Sequence, residues 1–276
     1  MTLPIHQEAS QRGSDRPLPR VKSFGDLAGL WESYTVDLTK LLSVSFAVIN
    51  DDEEVFYGIY PSKSKHDLTI EDCNAALRHI ADDELYPEVP SGVNLTLAPD
   101  ELDDRSAFVK RPGLHSLESV EGTGFIPRQI LDETLIMETI SKSPHPNFIR
   151  YYGCRVKRGR ITSLLLERLE CTLSEYVTKP EFQQLDRNKF CDELESAVEH
   201  LHGLGLAHND ISPLNIMVAE GRAKLIDFGS CAPYGKTLQS LGSPGWREEN
   251  FSTSEKKHDE YSLRKIREWI QDPQDP

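Results

Sequence analysis

The spacing of apolar residues predicts a chain that mixes helices and strands. After Asp186, apolar residues recur every three or four positions, which predicts an amphipathic helix that ends near Gly203. The same spacing predicts a second helix that begins near Pro127. The apolar runs FIRYYGCRV and ITSLLLERL, joined by the polar KRGR, predict an antiparallel hairpin. RSAFVK predicts a strand that ends at Lys110, and the alternation of GVNLTLAP predicts another strand over Gly92–Pro99.

The first part of the chain, up to about residue 85, has a different pattern. Its N-terminal residues are rich in Pro, Gly, Ser, Arg and Gln, which predicts a disordered tail. Apolar positions over 24–42 fall at helical spacing and predict an amphipathic helix. SVSFAVIN and VFYGIY flank an acidic turn and predict a hairpin. Thr69 followed by Asp72 is a capping-box signal, which predicts that a helix begins there.

Charge and cysteine usage restrict the class of protein. The chain carries 31 basic and 45 acidic residues, a formal net charge of −14, which argues against nucleic acid or an anionic membrane surface as the main partner. Its five cysteines include no Cys-x-x-Cys pair and favour free thiols in a reducing compartment. The N-terminus lacks the apolar core of a secretory signal, and no window approaches the roughly 18 apolar residues of a membrane span. We therefore expect a soluble intracellular protein, in the cytoplasm or the nucleus.

The strongest chemical signal lies between His208 and Gly229, in HNDISPLNIMVAEGRAKLIDFG. It places Asp210, Asn215 and Asp227 in short order on loops around apolar strands. Carboxylate and amide oxygens suit Mg²⁺, the ion that accompanies a nucleoside triphosphate in phosphoryl transfer. The stretch resembles the catalytic core of the protein kinases, which has His-x-Asp followed five residues later by Asn, and then Asp-Phe-Gly.

The resemblance implies a role for each matching residue. Asp210 would accept or orient the proton of the acceptor hydroxyl, and Asn215 and Asp227 would hold the metal ions that bridge the phosphates of ATP. Lys110 stands where the strand lysine of the family binds the first phosphates, and its partner would be Glu133 on the following helix. Without the resemblance, Lys110 is a solvated strand end and Glu133 a surface charge on a helix.

The resemblance also implies a nucleotide pocket. Leu166 would guard the adenine pocket, the backbone from Glu167 to Leu169 would bond the adenine edge, and Met217 would form its apolar floor. These side chains suit an ordinary buried core equally well. Gly92 is the only glycine of EVPSGVNLTLAP, where the family has the phosphate loop Gly-x-Gly-x-x-Gly, so the expected cradle is weak.

Three residues depart from the pattern of the family. Phe108 takes a place where a small residue usually contacts adenine, which favours an impaired nucleotide site. Asn209 replaces the arginine that reads a phosphorylated activation segment, which argues against that form of regulation. Ser212 replaces a lysine of the serine/threonine kinases, as in Rio-type and other atypical or small-molecule kinases. Further along, Asp259 matches the residue that braces the catalytic loop from below.

We therefore predict an α+β, two-lobed protein kinase-like fold, with a small lobe of antiparallel sheet and one helix and a mostly helical large lobe that is shortened at its C-terminus. The expected domains are a disordered tail at 1–22, an accessory region or small-lobe extension at 23–85, and the kinase-like domain at 86–271. The predicted function is ATP- and Mg²⁺-dependent phosphoryl transfer to a Ser or Thr hydroxyl of a protein substrate. The oligomeric state stays open.

Two alternative functions also stay open. A small-molecule kinase of the aminoglycoside or choline type is favoured by Ser212 and by the short large lobe. A pseudokinase scaffold with weak nucleotide binding is favoured by the missing glycines and by Phe108.

Overall fold

A computed structural model describes residues 17–35, 37–240, 242–248 and 251–273. The chain divides into two compact units. Unit 1 comprises the described residues up to Leu85 together with Gly113–Gly122. Unit 2 comprises Tyr86–Pro112 and the described residues from Thr123 onward. Of the predicted tail at 1–22, residues 1–16 lie outside the described residues.

Unit 1 is built on an antiparallel sheet. In spatial order its strands are β1 (Gly29–Tyr34), β2 (Leu41–Ile49), β3 (Val55–Pro61) and β4 (Arg78–His79). The pair of β2 and β3 confirms the hairpin predicted around the acidic turn. Helix α1 (Ile70–Ala76) confirms the helix predicted from Thr69, since Thr69 and Asp72 bond each other's backbone N–H groups as a capping box. Helix α2 (Asp82–Leu85) follows.

The helix predicted over 24–42 is wrong. The described residues of this stretch form a short 3₁₀ turn at Phe24–Asp26 and then strand β1, which pairs with β2 from Gly29↔Ala47 onward. Its apolar residues include Trp31 and Tyr34, whose rings favour strands. Pairing with the buried strand β2 satisfies the backbone of β1, and this tertiary gain overrides the helical spacing.

Side chains alternate across β2, so its two faces have different neighbours. Val44, Phe46 and Val48 form an apolar core with residues of α1. Val21 belongs to the same core and is 2% exposed. The backbone of Val21 makes two hydrogen bonds of 2.9 Å with the side-chain amide of Asn74. The last residues of the predicted tail therefore pack onto unit 1.

The opposite face of β2 is covered by Gly113–Gly122, which contains a 3₁₀ turn and helix α3 (Leu117–Val120). Leu117 is fully buried, and Ser43 of β2 donates a hydrogen bond to Glu118 at 3.1 Å. Nothing in the residue pattern predicted this return of the chain to unit 1. The core of unit 1 thus depends on a segment that follows Lys110 in sequence.

Unit 2 begins with an antiparallel sheet that has three strands among the described residues. Their spatial order is β5 (Phe108–Lys110), β7 (Arg160–Leu166) and β6 (Tyr151–Lys157). This confirms the strand predicted to end at Lys110 and the hairpin predicted on either side of KRGR. Helix α4 (Phe125–Ser141) confirms the helix predicted to begin near Pro127.

The strand predicted over Gly92–Pro99 is not formed. Within the described structure this stretch makes an isolated parallel bridge between Leu97 and Cys154 of β6. Gly153 permits this close approach, because its φ is +128° and a Cβ there would lie 2.6 Å from the carbonyl oxygen of Thr96. We call residues 96–98 the strap. The strap lies beside β6, where Thr96 and Ala98 hydrogen-bond the backbone of Cys154, whereas a phosphate-binding hairpin would lie beside β5.

The remainder of unit 2 is mostly helical. Helix α5 (Leu173–Tyr176) is followed by α6 (Arg187–Gly203), which is capped by Asp186 and confirms the helix predicted there. The short pairs that come next are β8 (Leu206–Ala207) with β11 (Ala232–Pro233), and β9 (Ile216–Ala219) with β10 (Arg222–Leu225). Helix α7 (Lys256–Trp269) packs against α6. Loops between these short strands carry the candidate site.

Two sequence predictions concern the whole chain. All five cysteines are free and buried, which confirms the prediction of free thiols. Among the described residues, none of the helices combines the length and the apolar character needed to span a bilayer.

Candidate active site

Helix α7 fixes the loop between β8 and β9. Asp259 of α7 is fully buried, and its two oxygens accept the backbone N–H groups of His208 and Asn209, each at 2.8 Å. The ring Nε2 of His202 lies 2.9 Å from the same carboxylate. Two buried backbone donors are thereby satisfied, which holds the start of the loop in one conformation. Asp259 braces the loop as the sequence predicts.

Asp210 is held at both carboxylate oxygens. Oδ2 accepts a hydrogen bond of 2.9 Å from Nδ2 of Asn215, which also donates to the main-chain oxygen of Asp210 at 2.8 Å. Oδ1 accepts the backbone N–H of Ser243 at 2.6 Å. Gly242 permits this approach, because a Cβ there would lie 2.5 Å from the carbonyl oxygen of Asn209. Both amide hydrogens of Asn215 are committed, so its carbonyl oxygen is the atom left to meet a ligand.

Lys110 joins two carboxylates that lie far from it in sequence. Its Nζ lies 2.6 Å from Oε1 of Glu133 on α4 and 2.9 Å from Oδ1 of Asp227 after β10. Asp227 has a positive φ of 57° and accepts the backbone N–H of Gly229 at 3.2 Å. The structure therefore brings together the strand lysine, the helix glutamate and the Asp-Phe-Gly aspartate. We call these residues the ionic triad.

Burial and mutual attraction compete in the ionic triad. Burial alone would lower the pKa of the Lys110 ammonium, but the carboxylates of Glu133 and Asp227 more than offset it, so this pKa is raised. Burial raises the pKa of the Glu133 carboxyl by more than the attraction of Lys110 lowers it. Burial also opposes ionisation of Asp227, but Lys110 and the N–H of Gly229 outweigh it, and the pKa of Asp227 is lowered. The lysine is thus kept charged and aimed between two carboxyl groups.

Phe228 and His208 support the site by packing. The Phe228 ring makes edge contacts with Phe148, at 5.6 Å between centroids, and a tilted contact with His208 at 5.2 Å. Nε2 of His208 lies 3.0 Å from the carbonyl oxygen of Ile226. Both rings are buried, and each contributes structure to the loops that carry Asp210 and Asp227.

The residues predicted to line the adenine pocket lie at the end of β7 and on β9. Leu166 is buried and is paired with Phe108 across the sheet. Leu169 and Met217 are half-buried. Phe108 itself is 49% exposed, on the strand that ends with Lys110. The apolar side chains expected for the pocket are therefore present, together with one large ring that the family usually lacks.

Glu167 is engaged by its neighbours. Its backbone N–H donates to the carbonyl oxygen of Arg150 at 2.8 Å, and its carboxylate lies 3.2 Å from Nζ of Lys224. The N–H of Glu167 is therefore already used. Any bond from this segment to adenine falls to the rest of the predicted backbone, up to Leu169.

Gly92 lies in an exposed turn with a φ of +78°. The chain next to it is bonded to the β6–β7 turn, where Val89 donates its N–H to the carbonyl oxygen of Gly159 at 3.1 Å. Since the hairpin expected around Gly92 is not formed, the structure gives no phosphate cradle at this position. A role for Gly92 in binding ATP stays a prediction from the resemblance.

The structural roles of three residues of the site could not be predicted from the sequence. Glu138 of α4 accepts the N–H of Thr96 at 2.7 Å and the Tyr151 hydroxyl at 3.1 Å, which fixes the strap. Arg168 donates to the carbonyl oxygen of Ala107 at 2.9 Å, tying the end of β7 to the start of β5. The structural role of the third, Asn209, also had no sequence signal. Each of these contacts joins residues that are remote in sequence or depends on loop geometry.

Asn209 takes the place of an arginine but serves a different purpose. Its Nδ2 donates to the carbonyl oxygens of Ala207 and Ser230, at 2.8 and 3.0 Å, and contacts the Ser254 hydroxyl at 3.0 Å. Its φ of +64° is one that asparagine tolerates better than most residues. This neutral amide thus ties the loop to the segment that follows Asp-Phe-Gly.

The arrangement suits a reaction that transfers a polyanionic group. Asp210 is a fixed carboxylate, and the carbonyl oxygen of Asn215 and the carboxylate of Asp227 are hard oxygen donors of the kind that Mg²⁺ prefers. Ser212 Oγ is buried and has no hydrogen-bond partner among the described residues. A fixed base, a charged lysine, metal donors and an unpaired hydroxyl are the parts from which phosphoryl transfer is assembled.

Comparison with known sequences gives the same picture. A sequence-family model described as the protein kinase domain matches residues 109–260. A sensor for unfolded proteins in the ER, ire1 of Schizosaccharomyces pombe, is 29% identical over 126 residues, which cover 37% of this chain and 12% of the relative. The serine/threonine-protein kinase/endoribonuclease IRE1 of Hypocrea jecorina is 33% identical over 123 residues, which cover 37% of this chain and 10% of the relative.

A third relative is the serine/threonine-protein kinase STE20 of Saccharomyces cerevisiae. It is 32% identical over 123 residues, which cover 42% of this chain and 13% of the relative. The chain thus spans a small part of the length of the curated relatives it matches. The range of the family model includes the ionic triad and Asp210.

Proposed function

Because the chain belongs to the protein kinase family, we propose that it transfers the terminal phosphoryl group of ATP, with Mg²⁺, to a Ser or Thr hydroxyl of a protein. The observation that carries the proposal is the ionic triad, in which Lys110 lies 2.6 Å from Glu133 and 2.9 Å from Asp227. The names of the Hypocrea and Saccharomyces relatives support a serine or threonine acceptor.

The residues present fit a metal-bound nucleotide. Asn215 and Asp227 would hold the ion. Asn215 offers its side-chain carbonyl oxygen, because its amide group already donates to Asp210, and Asp227 offers an ionised carboxylate. When bound, Mg²⁺ neutralises charge on the phosphates during transfer. The orphaned hydroxyl of Ser212, two residues after Asp210, is a donor suited to an anion. It is neutral, so it would stabilise phosphate less than the lysine of the family.

The other side chains position and activate. Asp210, fixed by Asn215 and by the N–H of Ser243, would orient the acceptor hydroxyl and take its proton. Lys110 would bind the phosphates and Asp227 would bind the metal, while Glu133 would hold the Lys110 ammonium in place. Catalysis then rests on positioning and on the electrostatics of a fixed site.

A pseudokinase scaffold is a second candidate, because two observations favour it. The hairpin that would cover the phosphates is not formed around Gly92, and Phe108 takes the place of a small residue near adenine. Both features would weaken nucleotide binding. Ser212 supports the small-molecule kinase as a third candidate.

Transfer of label from ATP labelled at its terminal phosphate separates these functions. The full chain is offered a generic protein substrate and, in parallel, a panel of aminoglycosides and choline. Asp210→Asn is expected to reduce transfer to protein by about a hundredfold or more, the usual contribution of a general base. Asp272→Asn, at an exposed carboxylate after α7, is the matched control and should transfer normally.

Each other outcome points to one rival. Transfer to a metabolite and not to protein would assign the chain to the small-molecule kinases. If there is no transfer and neither ATP nor ATP with Mg²⁺ raises the melting temperature, the scaffold is correct, since a ligand that binds the native state must stabilise it. Equal turnover by Asp210→Asn and wild type would refute the mechanism.

A further inference from the structure

Helix α4 carries a second buried carboxyl group beside that of the ionic triad. Glu133 and Glu138 are 7% and 5% exposed. Glu133 meets Lys110 of β5, whereas Glu138 lies about 7.5 Å further along the helix axis, at 1.5 Å per residue. A carboxyl group is costly to bury, so the partners of Glu138 show what it holds in place.

Three donors from the strap and from β6 converge on Glu138. Its Oε1 accepts the backbone N–H of Thr96 at 2.7 Å and the hydroxyl of Tyr151 at 3.1 Å, and its Oε2 accepts the hydroxyl of Thr96 at 2.9 Å. Burial, together with the nearby Cys154 thiol and the Glu138 carboxyl, raises the pKa of the Tyr151 hydroxyl, which therefore keeps the proton that it donates. Thr96 thus bonds both oxygens of Glu138, and Tyr151 adds a third bond.

The strap is itself fixed to β6. Cys154 donates its N–H to the carbonyl oxygen of Thr96 at 2.8 Å, and Ala98 donates its N–H to the carbonyl oxygen of Cys154 at 3.0 Å. Gly153 allows this approach, because a Cβ there would lie 2.6 Å from the backbone nitrogen of Ala98. The strap therefore connects the strand β6 to the helix α4.

Two attachments set where α4 lies against the sheet of unit 2. Lys110 holds the helix at β5, and the strap with Tyr151 holds it at β6, so the attachments come from the two outer strands of the described sheet. All of these residues belong to unit 2. Both attachments act on one uninterrupted helix, Phe125–Ser141, so a shift at Glu138 moves Glu133 as well.

The contacts of Glu138 act on position more than on stability. The cost of burying a charged group offsets much of what its bonds contribute, whereas their geometry is retained. Three bonds to two oxygens leave the carboxyl group one orientation. If they are lost, α4 is free to move away from β6, and Glu133 withdraws from Lys110. The ammonium is then left with Asp227 and loses one of the two carboxylates that aim it.

Resting on the proposed function for its effect on ATP, we propose that Thr96, Tyr151 and Glu138 are positioning residues for the ionic triad. Thr96 and Tyr151 hold Glu138, and through it α4, at the place where Glu133 meets Lys110. The strap does not form the strand expected from its sequence, and its role is to support the helix.

Kinetics of the full chain tests the hydroxyl of Thr96. Thr96→Val keeps the shape of the side chain but removes the donor to Oε2 of Glu138, whereas Thr96→Ser keeps the donor. We expect Thr96→Val to raise KM for ATP by about three- to tenfold, part of the roughly hundredfold loss that a misplacement of about 1 Å can cause. Tyr151→Phe should act in the same direction, and Thr96→Ser should keep the wild-type KM. A variant that merely folds less well has fewer active molecules, which lowers kcat and leaves KM unchanged.

Thr139→Val is the matched control for the loss of a hydroxyl. Thr139 lies on the exposed side of α4, and its hydroxyl donates to the carbonyl oxygen of Leu135 within the same helix at 2.9 Å. Its removal leaves the contacts between α4 and β6 intact. KM for ATP should therefore equal that of the wild type.

A double-mutant cycle gives a readout that does not depend on turnover. Lys110→Met removes the partner of Glu133, and its effect on the urea midpoint is measured with and without Thr96→Val. A Trp31→Phe background leaves tryptophans in unit 2 only, so their fluorescence reports on that unit. We expect Lys110→Met to shift the midpoint less in the presence of Thr96→Val, because the bond that it removes is already weakened. Independent contacts would give equal shifts.

The outcomes separate this inference from the proposed function. If Thr96→Val leaves KM for ATP unchanged and the cycle is additive, the positioning role is refuted, even though the enzyme is active. If Thr96→Ser has the same defect as Thr96→Val, the hydroxyl is not the cause and the inference is also refuted. If KM rises but the cycle is additive, the route through α4 is refuted. If the cycle is non-additive while the wild type transfers no phosphate, the inference stands and the proposed function fails.

Discussion

Replacement of Asp259 tests how strongly α7 holds the catalytic loop. The carboxylate is fully buried and accepts two backbone N–H groups, from His208 and Asn209, at 2.8 Å each. Asp259→Asn keeps the shape of the side chain but turns one acceptor oxygen into a donor. One of the two backbone N–H groups then faces an amide N–H, and the other loses a charged partner.

The expected loss follows from these two bonds. A hydrogen bond to a charged group contributes roughly 1.5–3 kcal/mol, and a buried donor without a partner costs about 1–3 kcal/mol. We therefore expect Asp259→Asn to lower the free energy of unfolding of unit 2 by about 2–4 kcal/mol. Asp259→Ala should lose about 3–5 kcal/mol, since it removes one partner of a buried polar network.

Urea unfolding followed by tryptophan fluorescence measures this loss. The chain has three tryptophans, and on a Trp31→Phe background the remaining two, Trp246 and Trp269, both belong to unit 2 and contact each other at 5.4 Å. Glu260→Gln is the matched control, because it neutralises the neighbouring, exposed carboxylate of the same helix. If Asp259→Asn unfolds at the same urea concentration as Glu260→Gln, the bonds to the loop carry no stability and the reasoning is refuted.

Three further predictions concern other parts of the chain. Gly153→Ala should destabilise unit 2 by more than about 1 kcal/mol, because its Cβ would lie 2.6 Å from the backbone of the strap at Thr96; an unchanged urea midpoint would contradict this close approach. Leu117→Ala should cost unit 1 about 2–5 kcal/mol, as for a buried leucine; thermal melting followed by Trp31 fluorescence measures it. The Lys63 ammonium and the Thr69 cap lower the pKa of Asp72 to about 2 from 3.8. The contribution of the Asp72 carboxylate to folding stability is therefore complete above pH 3.8 and is lost as pH falls through 2; acid unfolding of Asp72→Asn should lack this loss.

The elements that carry the site could be predicted because their signals are local. The helix after Asp186 begins at a capping aspartate and continues with a regular apolar stripe, and both features are readable in sequence. Lys110, Asp210 and Asp227 follow fixed spacings around short apolar strands, so a resemblance locates them without any knowledge of packing. The structure adds the distances that join Lys110 to its two carboxylates.

The errors concern segments whose structure is decided by their partners and not by their own spacing. Trp31 and Tyr34 lie at helical spacing, yet pairing with β2 makes their stretch a strand. The alternation of 92–99 suggests a strand, but in the described structure this stretch makes an isolated bridge with β6, and Thr96 is held by Glu138 of α4. Gly113–Gly122 carries no pattern that would assign it to unit 1. Local spacing does not contain information about such pairings.

The division of unit 1 along the sequence has a consequence for synthesis. Proteins are made from the N-terminus, and domains generally fold as they emerge from the ribosome. The sheet of unit 1 is complete once β4 has emerged, but the face that carries Ser43 stays uncovered until Leu114 and Leu117 have followed. During that interval this face of the sheet lacks its two buried leucines, and Phe108 and Lys110 are already outside. Unit 1 can therefore be completed only after the first strand of unit 2, which carries Lys110, has been made.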